Sequence, residues 1–190
     1  MTDKEYIEEK LMYCGKEGME ELLHHMEENG FYKAPCSGSK HLAEPGGLAK
    51  HTRNVIETAE AIHHMFFEEE DTRIVNLCEL YLVCALHDLG KMGQFGKSNY
   101  VENILKNGKQ SDAKPYVSNP DLQYIPHECR GIAIANRYIT LNENEQSAIL
   151  YHNGLYGDFR YCITGKETPL YLILHFADMW ASRVLEKEAE

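Results

Sequence analysis

A histidine and an aspartate stand side by side where an apolar segment ends, in the stretch YLVCALHDLGKMG at residues 81–93. The run of apolar residues predicts a buried helix, which would carry His87 and Asp88 into the protein interior. Burying a carboxylate or a charged imidazole costs free energy unless a partner compensates the charge. Any fold of this chain must therefore bring compensating groups to His87 and Asp88.

The rest of the chain has mostly helical patterns, which predict an all-α fold. Helices are expected at residues 3–14, 18–28, 48–68, 72–86, 127–139, 143–151 and 168–187. Gly15 and an Asn-Gly pair follow the first two, as is usual at helix C-termini, and Asn142 is placed to cap the sixth. We expect a single domain over residues 1–190, with residues 1–30 as an N-terminal helical extension.

Residues 93–126 are too long for an unstructured loop in a compact domain. They contain Asn-Gly at 107–108, a strong turn signal between two segments that can pair. The sequence therefore predicts a β-hairpin insertion over residues 99–117, although VENILK at 101–106 also fits a short helix. Residues 91–116 hold five lysines and two acids, a pattern that suits an anionic small molecule and equally suits a solvated loop.

The overall charge limits the class of partner. The formal net charge is −11 at pH 7, which argues against broad binding to long nucleic acid. The sequence shows neither a membrane span nor a signal peptide, so we expect a cytoplasmic protein with no membrane partner. Six scattered cysteines without a CxxC pair are expected to be free thiols.

Two further helices place polar groups on core-facing sides. His51 lies on the apolar stripe of the helix predicted at 48–68, whereas His63 points away and is expected at the surface. Asp178 lies on a helix face that offers no lysine or arginine as a partner. Three helices would thus each turn His or Asp inward, and a bound metal ion is the simplest common compensation.

The motifs GGLAKH (46–51), HDLGK (87–91), PHE (126–128), YHNG (151–154) and HFADM (175–179) follow one another in this order. Together they resemble the HD-domain metal-dependent phosphohydrolase superfamily, and most closely its small bacterial and prophage-type members. The resemblance covers roughly residues 31–186. It implies a helical HD fold, with a small hairpin after the HD motif and a dinuclear metal site.

The resemblance also implies a ligand set. The first ion would be bound by His51, His87, Asp88 and Asp178. The second would be bound by His127 and His152, with Asp88 bridging the two ions. Imidazole and carboxylate ligands suit two divalent transition-metal ions and do not distinguish among Fe, Mn, Co, Ni and Zn.

The implied reaction is hydrolysis of a phosphoester by a metal-bridging hydroxide, in a nucleotide or a similar small phosphorylated molecule. Besides Asp88, two residues are candidate catalytic groups: Lys91, which would also bind phosphate, and His175, which fits either proton transfer or support of a ligand. His41 and Arg130 are candidate substrate contacts, although a plain loop histidine is an equal interpretation of His41.

Two other functions fit the same residues. Six-ligand HD sites also occur in di-iron oxygenases, which cleave C–C or C–P bonds with O₂. A non-catalytic nucleotide-binding module would use the metal only to stabilise its fold. No GYP motif follows HDLGK, so the cyclic-dinucleotide phosphodiesterases that carry that motif are not indicated.

Overall fold

The structure is a computed structural model that describes residues 1–66 and 74–187. It is mainly helical with one two-stranded antiparallel hairpin, which confirms the predicted all-α class and the predicted hairpin. The helices are α1 (Asp3–Tyr13), α2 (Met19–Glu28), α3 (Gly47–Phe66), α4 (Leu77–Leu86), α5 (His127–Ala135), α6 (Glu143–Tyr151), α7 (Arg160–Ile163) and α8 (Pro169–Trp180). The strands are β1 (Tyr100–Glu102) and β2 (Tyr116–Ser118).

Helix α3 lies at the centre of the fold and packs against α1, α4 and α8. Helix α4 is apolar on all sides, and its residues from Leu80 to Leu86 are buried. The N-terminal helices belong to the same core, because Ile7 and Leu11 of α1 and Leu22 and Met26 of α2 are fully buried within it. The predicted extension therefore contributes directly to the core on which α3 and α4 rest.

The hairpin lies against the loop that precedes α3. Its strands pair Tyr100 with Ser118 and Glu102 with Tyr116. The backbone N–H of Tyr116 donates to the Gly38 carbonyl oxygen over 3.0 Å. The hairpin is thereby fastened next to the segment that leads into α3.

Several predicted helix ends were wrong. The helix expected from residue 72 begins at Leu77, because the Asn76 side chain accepts from the Cys78 amide and residues 74–76 are not helical. Residues 67–68 and 72–73 of the predicted helices lie outside the described residues. Helix α5 ends at Ala135 rather than at residue 139, and α7 was not predicted.

The last predicted helix changes its type near its end. It is α-helical to Trp180 and continues as a π-helical turn over Ala181–Leu185. The N–H of Glu186 donates to the Ala181 carbonyl oxygen over 3.0 Å, the five-residue spacing of a π-turn. This turn determines where Glu186 points.

His63, which was expected at the surface, is buried. Its Nε2 lies 3.1 Å from the Val75 carbonyl oxygen and donates to it. The segment before α4 therefore covers this face of α3.

Within residues 1–66 and 74–187, none of the helices combines the length and the apolar character that crossing a bilayer would require.

Candidate metal centre

Six histidine and aspartate side chains converge from five helices. His51 lies on α3, His87 and Asp88 follow α4, His127 begins α5, His152 follows α6, and Asp178 lies on α8. Overlapping groups of three among them have possible ligand atoms within 4.8 Å of one another. The structure therefore brings together all six residues that the resemblance implied as ligands.

Two motif glycines permit this convergence. A Cβ atom at Gly90 would lie 2.1 Å from the His127 carbonyl oxygen, so only glycine lets α5 come this close to the turn after Asp88. Gly154 has a φ of +53°, and a Cβ there would lie 2.3 Å from the His175 ring. The glycines of HDLGK and YHNG therefore act through close packing.

Asp88 lies at the middle of the cluster. Its Oδ1 is 3.1 Å from Nε2 of His127 and 3.6 Å from Nε2 of His152. Its Oδ2 is 3.3 Å from Nε2 of His87 and 3.6 Å from Nε2 of His51. Each oxygen of one buried carboxylate thus faces a different pair of imidazoles.

The cluster can accordingly be divided into two half-sites that share Asp88. The first half-site comprises His51, His87, Asp88 and Asp178. The second half-site comprises Asp88, His127 and His152. His87, His152 and Asp178 also form a group of their own, so the two half-sites are in direct contact.

Hydrogen bonds from the outer ring nitrogens of His87 and His152 fix which nitrogen of each ring faces the cluster. Nδ1 of His87 lies 2.8 Å from the Cys84 carbonyl oxygen, and Nδ1 of His152 lies 2.8 Å from that of Ile149. A carbonyl oxygen can only accept, so each Nδ1 carries a proton and each Nε2 faces the interior of the cluster.

Ring nitrogens of neighbouring histidines meet at short range in two places. The Nε2 atoms of His51 and His87 are 3.3 Å apart, and those of His127 and His152 are 3.4 Å apart. Two unprotonated nitrogens at this distance would repel each other, so a proton or a metal ion must lie near each pair. Oδ1 of Asp88 is also buried and makes no well-aligned hydrogen bond with the described residues, although Nε2 of His127 lies 3.1 Å away. Both observations fit a site built for cations.

Neighbouring charged groups shift the pKa values of the two carboxyl groups in the cluster. Burial would raise the pKa of Asp88, but the Lys91 ammonium and the imidazoles of His87 and His127 lower it well below its ordinary value. Burial would likewise raise the pKa of Asp178, and the hydrogen bond from His51 lowers it instead. Both carboxyl groups are therefore ionised, as metal ligands must be.

The two buried histidines at opposite ends of the cluster differ in protonation. Burial would lower the pKa of His51, but Cys36, Asp178 and Glu186 raise it well above its ordinary value. Burial and the nearby His87 lower the pKa of His152 to about 3. Without a metal ion, His51 is held as a cation beside carboxylates and His152 is held neutral.

Lys91 lies at the edge of the cluster. Its Nζ is 2.6 Å from Oδ2 of Asp88. The side chains of Lys91, His127 and Asp178 are 16%, 26% and 17% exposed, whereas those of His51 and His152 are buried. Solvent therefore reaches the cluster at Lys91, His127 and Asp178.

Two other candidate residues, His175 and Arg130, make their hydrogen bonds outside the six side chains of the cluster. Nδ1 of His175 is 2.8 Å from the His152 carbonyl oxygen, so His175 contacts the backbone of a candidate ligand. Arg130 is buried, and its guanidinium donates to the Gln123 carbonyl oxygen and to Gln94. Gln94 and Gln123 lie near the two ends of the insertion, residues 93–126, so Arg130 links these ends. This favours a structural role over substrate binding.

His41 lies on the loop before α3. Burial and the neighbouring His51 lower its pKa to about 4, and its side chain is 19% exposed. The ring centroids of His41 and His51 are 5.1 Å apart. His41 is thus a neutral, partly accessible imidazole next to the first half-site.

Two residues in contact with the cluster were missed in the sequence. Glu186 accepts from Nδ1 of His51 over 2.9 Å and from the Asn54 amide over 2.9 Å. Asn153 has its amide nitrogen 3.1 Å from Nε2 of His152 and donates to Glu128 over 2.6 Å. Asn153 is part of YHNG and so lay within a recognised motif, whereas no motif pointed to Glu186.

No protein-family model matches the chain, and no curated protein or solved structure matches it either. The chemistry of the cluster is therefore inferred from the six side chains and their surroundings.

Proposed function

We propose that the chain is an HD-type metal-dependent phosphohydrolase that cleaves a phosphoester in a nucleotide or a similar small phosphorylated molecule. The observation that carries this proposal is the position of Asp88, whose two oxygens face different half-sites. A carboxylate in that position can be shared between two cations. The surrounding nitrogen and oxygen donors suit Mn, Fe, Co, Ni or Zn.

Two divalent cations held there would supply Lewis acidity and would activate water near neutral pH. The open side of the cluster is where a phosphate group would approach, between Lys91, His127 and Asp178. Burial would lower the pKa of Lys91, but Asp88 raises it well above its ordinary value, so the ammonium keeps its charge there. We assign Lys91 to phosphate binding and to stabilising the charge that develops on phosphoryl oxygen.

His175 is assigned a positioning role. Its ring stacks on Tyr171, at an angle of 3° between the planes, and its Nδ1 donates to the His152 carbonyl oxygen. This contact holds the backbone from which His152 projects. Loss of His175 would therefore act through the second half-site.

The lysines of the hairpin insertion indicate which class of substrate the site would bind. The side chains of Lys106, Lys109 and Lys114 are exposed on the hairpin, and the hairpin rests on the loop that carries His41. A net charge of −11 opposes long polyanions, so local lysines near the cluster favour a small anion. The six cysteines are free thiols, which suits a reducing cytoplasm.

The test is metal analysis of protein purified under anaerobic conditions and supplied with Mn or Fe, followed by a phosphate-release screen. Nucleoside mono-, di- and triphosphates and cyclic nucleotides form the panel, and Asp88→Ala is the inactive control. We expect close to two ions per chain and release of phosphate or a nucleoside phosphate that depends on them.

Three results would contradict this proposal. One metal ion per chain, unaffected by loss of His127 or His152, would exclude the dinuclear site. Consumption of O₂ with an EPR signal from a half-oxidised iron pair, without phosphate release, would indicate an oxygenase. Tight stoichiometric nucleotide binding without turnover would indicate a binding module.

A further inference from the structure

A fourth group of possible ligands lies outside the two half-sites and contains sulfur. It consists of Cys36, His41 and His51, which we call the thiol triad, and its donor atoms lie within 4.8 Å of one another. Cys36 is fully buried. Neither Cys36 nor His41 belongs to a half-site, so the phosphohydrolase proposal does not account for their proximity.

The loop before α3 brings Cys36 and His41 together. The Cys36 N–H donates to the Leu42 carbonyl oxygen over 3.1 Å. The Ser37 hydroxyl donates to the His41 carbonyl oxygen over 2.9 Å and accepts from the Lys40 N–H over 2.8 Å. These bonds close residues 36–42 into a tight loop with the two donor side chains on one side.

The separation of the donors suits a tetrahedral ion. Sγ of Cys36 and Nε2 of His41 are 3.4 Å apart. Typical zinc–sulfur and zinc–nitrogen bonds predict an S–N edge of about 3.5 Å around one tetrahedral ion. The distance between Cys36 and His41 is therefore nearly that of two ligands of one ion.

His51 belongs both to the triad and to the first half-site, and it can bind an ion on each side once both ring nitrogens have lost their protons. Its Nε2 lies 3.2 Å from Asp178 and faces the first half-site. Its Nδ1 lies on the opposite side, 2.9 Å from Glu186, whose other oxygen is 3.9 Å from Nε2 of His41. The Glu186 carboxylate thus contributes negative charge next to the triad.

The triad is also reachable from solvent. A cleft of about 720 Å³ is lined by His41, Asn54, Ser182 and Glu186, among other residues. On the inner side, Nζ of Lys91 is 3.9 Å from Sγ of Cys36; burial raises the pKa of the Cys36 thiol, and the neighbouring His51 and Lys91 oppose this in part. An ion can therefore approach past His41 without passing through the six-residue cluster.

We propose that Cys36, His41 and His51 form an additional metal site that selects a thiophilic ion such as Zn²⁺ or Co²⁺. Thiolate is softer than the nitrogen and oxygen donors of the half-sites, so this site discriminates among metals where they do not. Binding forms one metal–sulfur and two metal–nitrogen bonds. The thiol proton of Cys36 and the proton on the His51 nitrogen that binds are released to water, and an ion in the first half-site would take the second ring proton of His51, leaving an imidazolate shared by the two ions.

The test uses metal-free protein with Cys162→Ser, which removes an exposed thiol, titrated with Co²⁺. The half-sites contain only His and Asp, so they cannot produce a thiolate-to-cobalt charge-transfer band. The triad should produce one, and one equivalent of Zn²⁺ should bleach it. Cys36→Ser should lose the band and still bind cobalt with visible d–d absorption.

Cys84→Ser is the matched control. Cys84 is the other fully buried thiol, and its carbonyl oxygen accepts from His87, yet it belongs to no ligand group among the described residues. The charge-transfer band should persist in this variant. His41→Asn keeps the thiol and should weaken the band. This variant replaces Cys36→Ser as the test if Cys36→Ser does not fold.

A titration without the band, or a band that survives in Cys36→Ser, would overturn the additional site. Both readouts are optical and need no substrate. They therefore remain decisive whether or not phosphate release is detected, and failure of one proposal leaves the other standing.

Discussion

The two half-sites contain the same kinds of ligand, yet they differ in charge. In the first, His51 contacts the carboxylates of Asp178 and Glu186, and its pKa is raised well above the ordinary value despite burial. In the second, burial and His87 lower the pKa of His152 to about 3. The first half-site has a carboxylate ligand of its own, whereas the second depends on the shared Asp88.

Similar ligands therefore need not give similar affinity. A cation entering the first half-site is attracted by Asp178 and by Asp88, while one entering the second is attracted by Asp88 alone and is repelled by the first ion. We therefore expect the two ions to bind in order, the first more tightly.

Asp88→Ala should have the largest effect, because both half-sites lose their shared carboxylate. We expect loss of both ions, measured by metal analysis, and loss of hydrolysis. A chelator should lower the melting temperature of the wild type, since bound ions stabilise only the folded state, and should hardly change that of Asp88→Ala. Asp112→Ala, on the exposed hairpin, is the control. Two tightly held ions in Asp88→Ala would mean that Asp88 is not shared.

Single histidine substitutions should separate the half-sites. His51→Ala should weaken mainly the tighter ion, and His152→Ala or His127→Ala should remove mainly the weaker one. Hydrolysis should fall sharply in all three variants, because the reaction needs both ions. Equal loss of both ions in every variant, measured by equilibrium dialysis, would contradict the division into halves.

Glu186→Gln should have a smaller and selective effect. The variant removes the charge that orients His51 through Nδ1, and loss of such a supporting contact weakens metal binding by about 10- to 100-fold. Only the tighter ion should be affected. Glu44→Gln, an acid of the same cleft, should leave both affinities unchanged. An equal change at both ions would show that Glu186 does not act through His51.

The pH dependence of the metal-free protein should reveal the charge difference with opposite signs. His152 has a lowered folded pKa of about 3, so its contribution to stability is present above its unfolded pKa of about 6.5 and is lost as the pH falls toward 3. His51 has a raised pKa, so its contribution is present below about 6.5 and is lost as the pH rises through the folded value.

Urea unfolding in the presence of a chelator, between pH 4 and pH 8, measures this effect. His152→Gln should make stability less dependent on pH on the acid side, by at most about 1.4 kcal/mol per pH unit. His51→Gln should change the alkaline side instead. Variants that shift the same side of the profile would show that the two histidines do not differ in protonation.

The hairpin lysines should have the smallest effect, since they lie outside both half-sites. Replacing Lys106, Lys109 and Lys114 with Gln should raise KM and flatten its dependence on salt, with kcat nearly unchanged. Metal content should stay the same. An unchanged KM at low and high salt would mean that these lysines only solvate the hairpin.

Sequence patterns predicted the elements whose signals are local. Helix α6 begins as expected because Asn142 and Glu145 form a reciprocal capping box at its N-terminus. The hairpin was found from its Asn-Gly turn, where Gly108 has a φ of +79°. The six members of the cluster were found because each lies in a short motif of a recognisable order.

Features that depend on tertiary contacts were missed. His63 appeared exposed because its partner, the Val75 carbonyl oxygen, belongs to a loop that helical periodicity does not describe. Glu186 was missed because an α-helix continued from Asp178 would turn residue 186 toward a different side. The π-turn over Ala181–Leu185 adds a residue to the last turn and brings Glu186 to His51.

The close approach at Gly90 has a consequence for how this centre can evolve. Ligand side chains can be exchanged for others of similar reach, and affinity then changes by degrees. A side chain at position 90 would instead clash with α5 and push it away from the turn Leu89–Met92. It would move His127 away from Asp88 and so part the two ion positions of the proposed dinuclear site, which in dinuclear enzymes are about 3.5–4 Å apart. The spacing of the proposed pair would thus depend on a residue that binds neither ion.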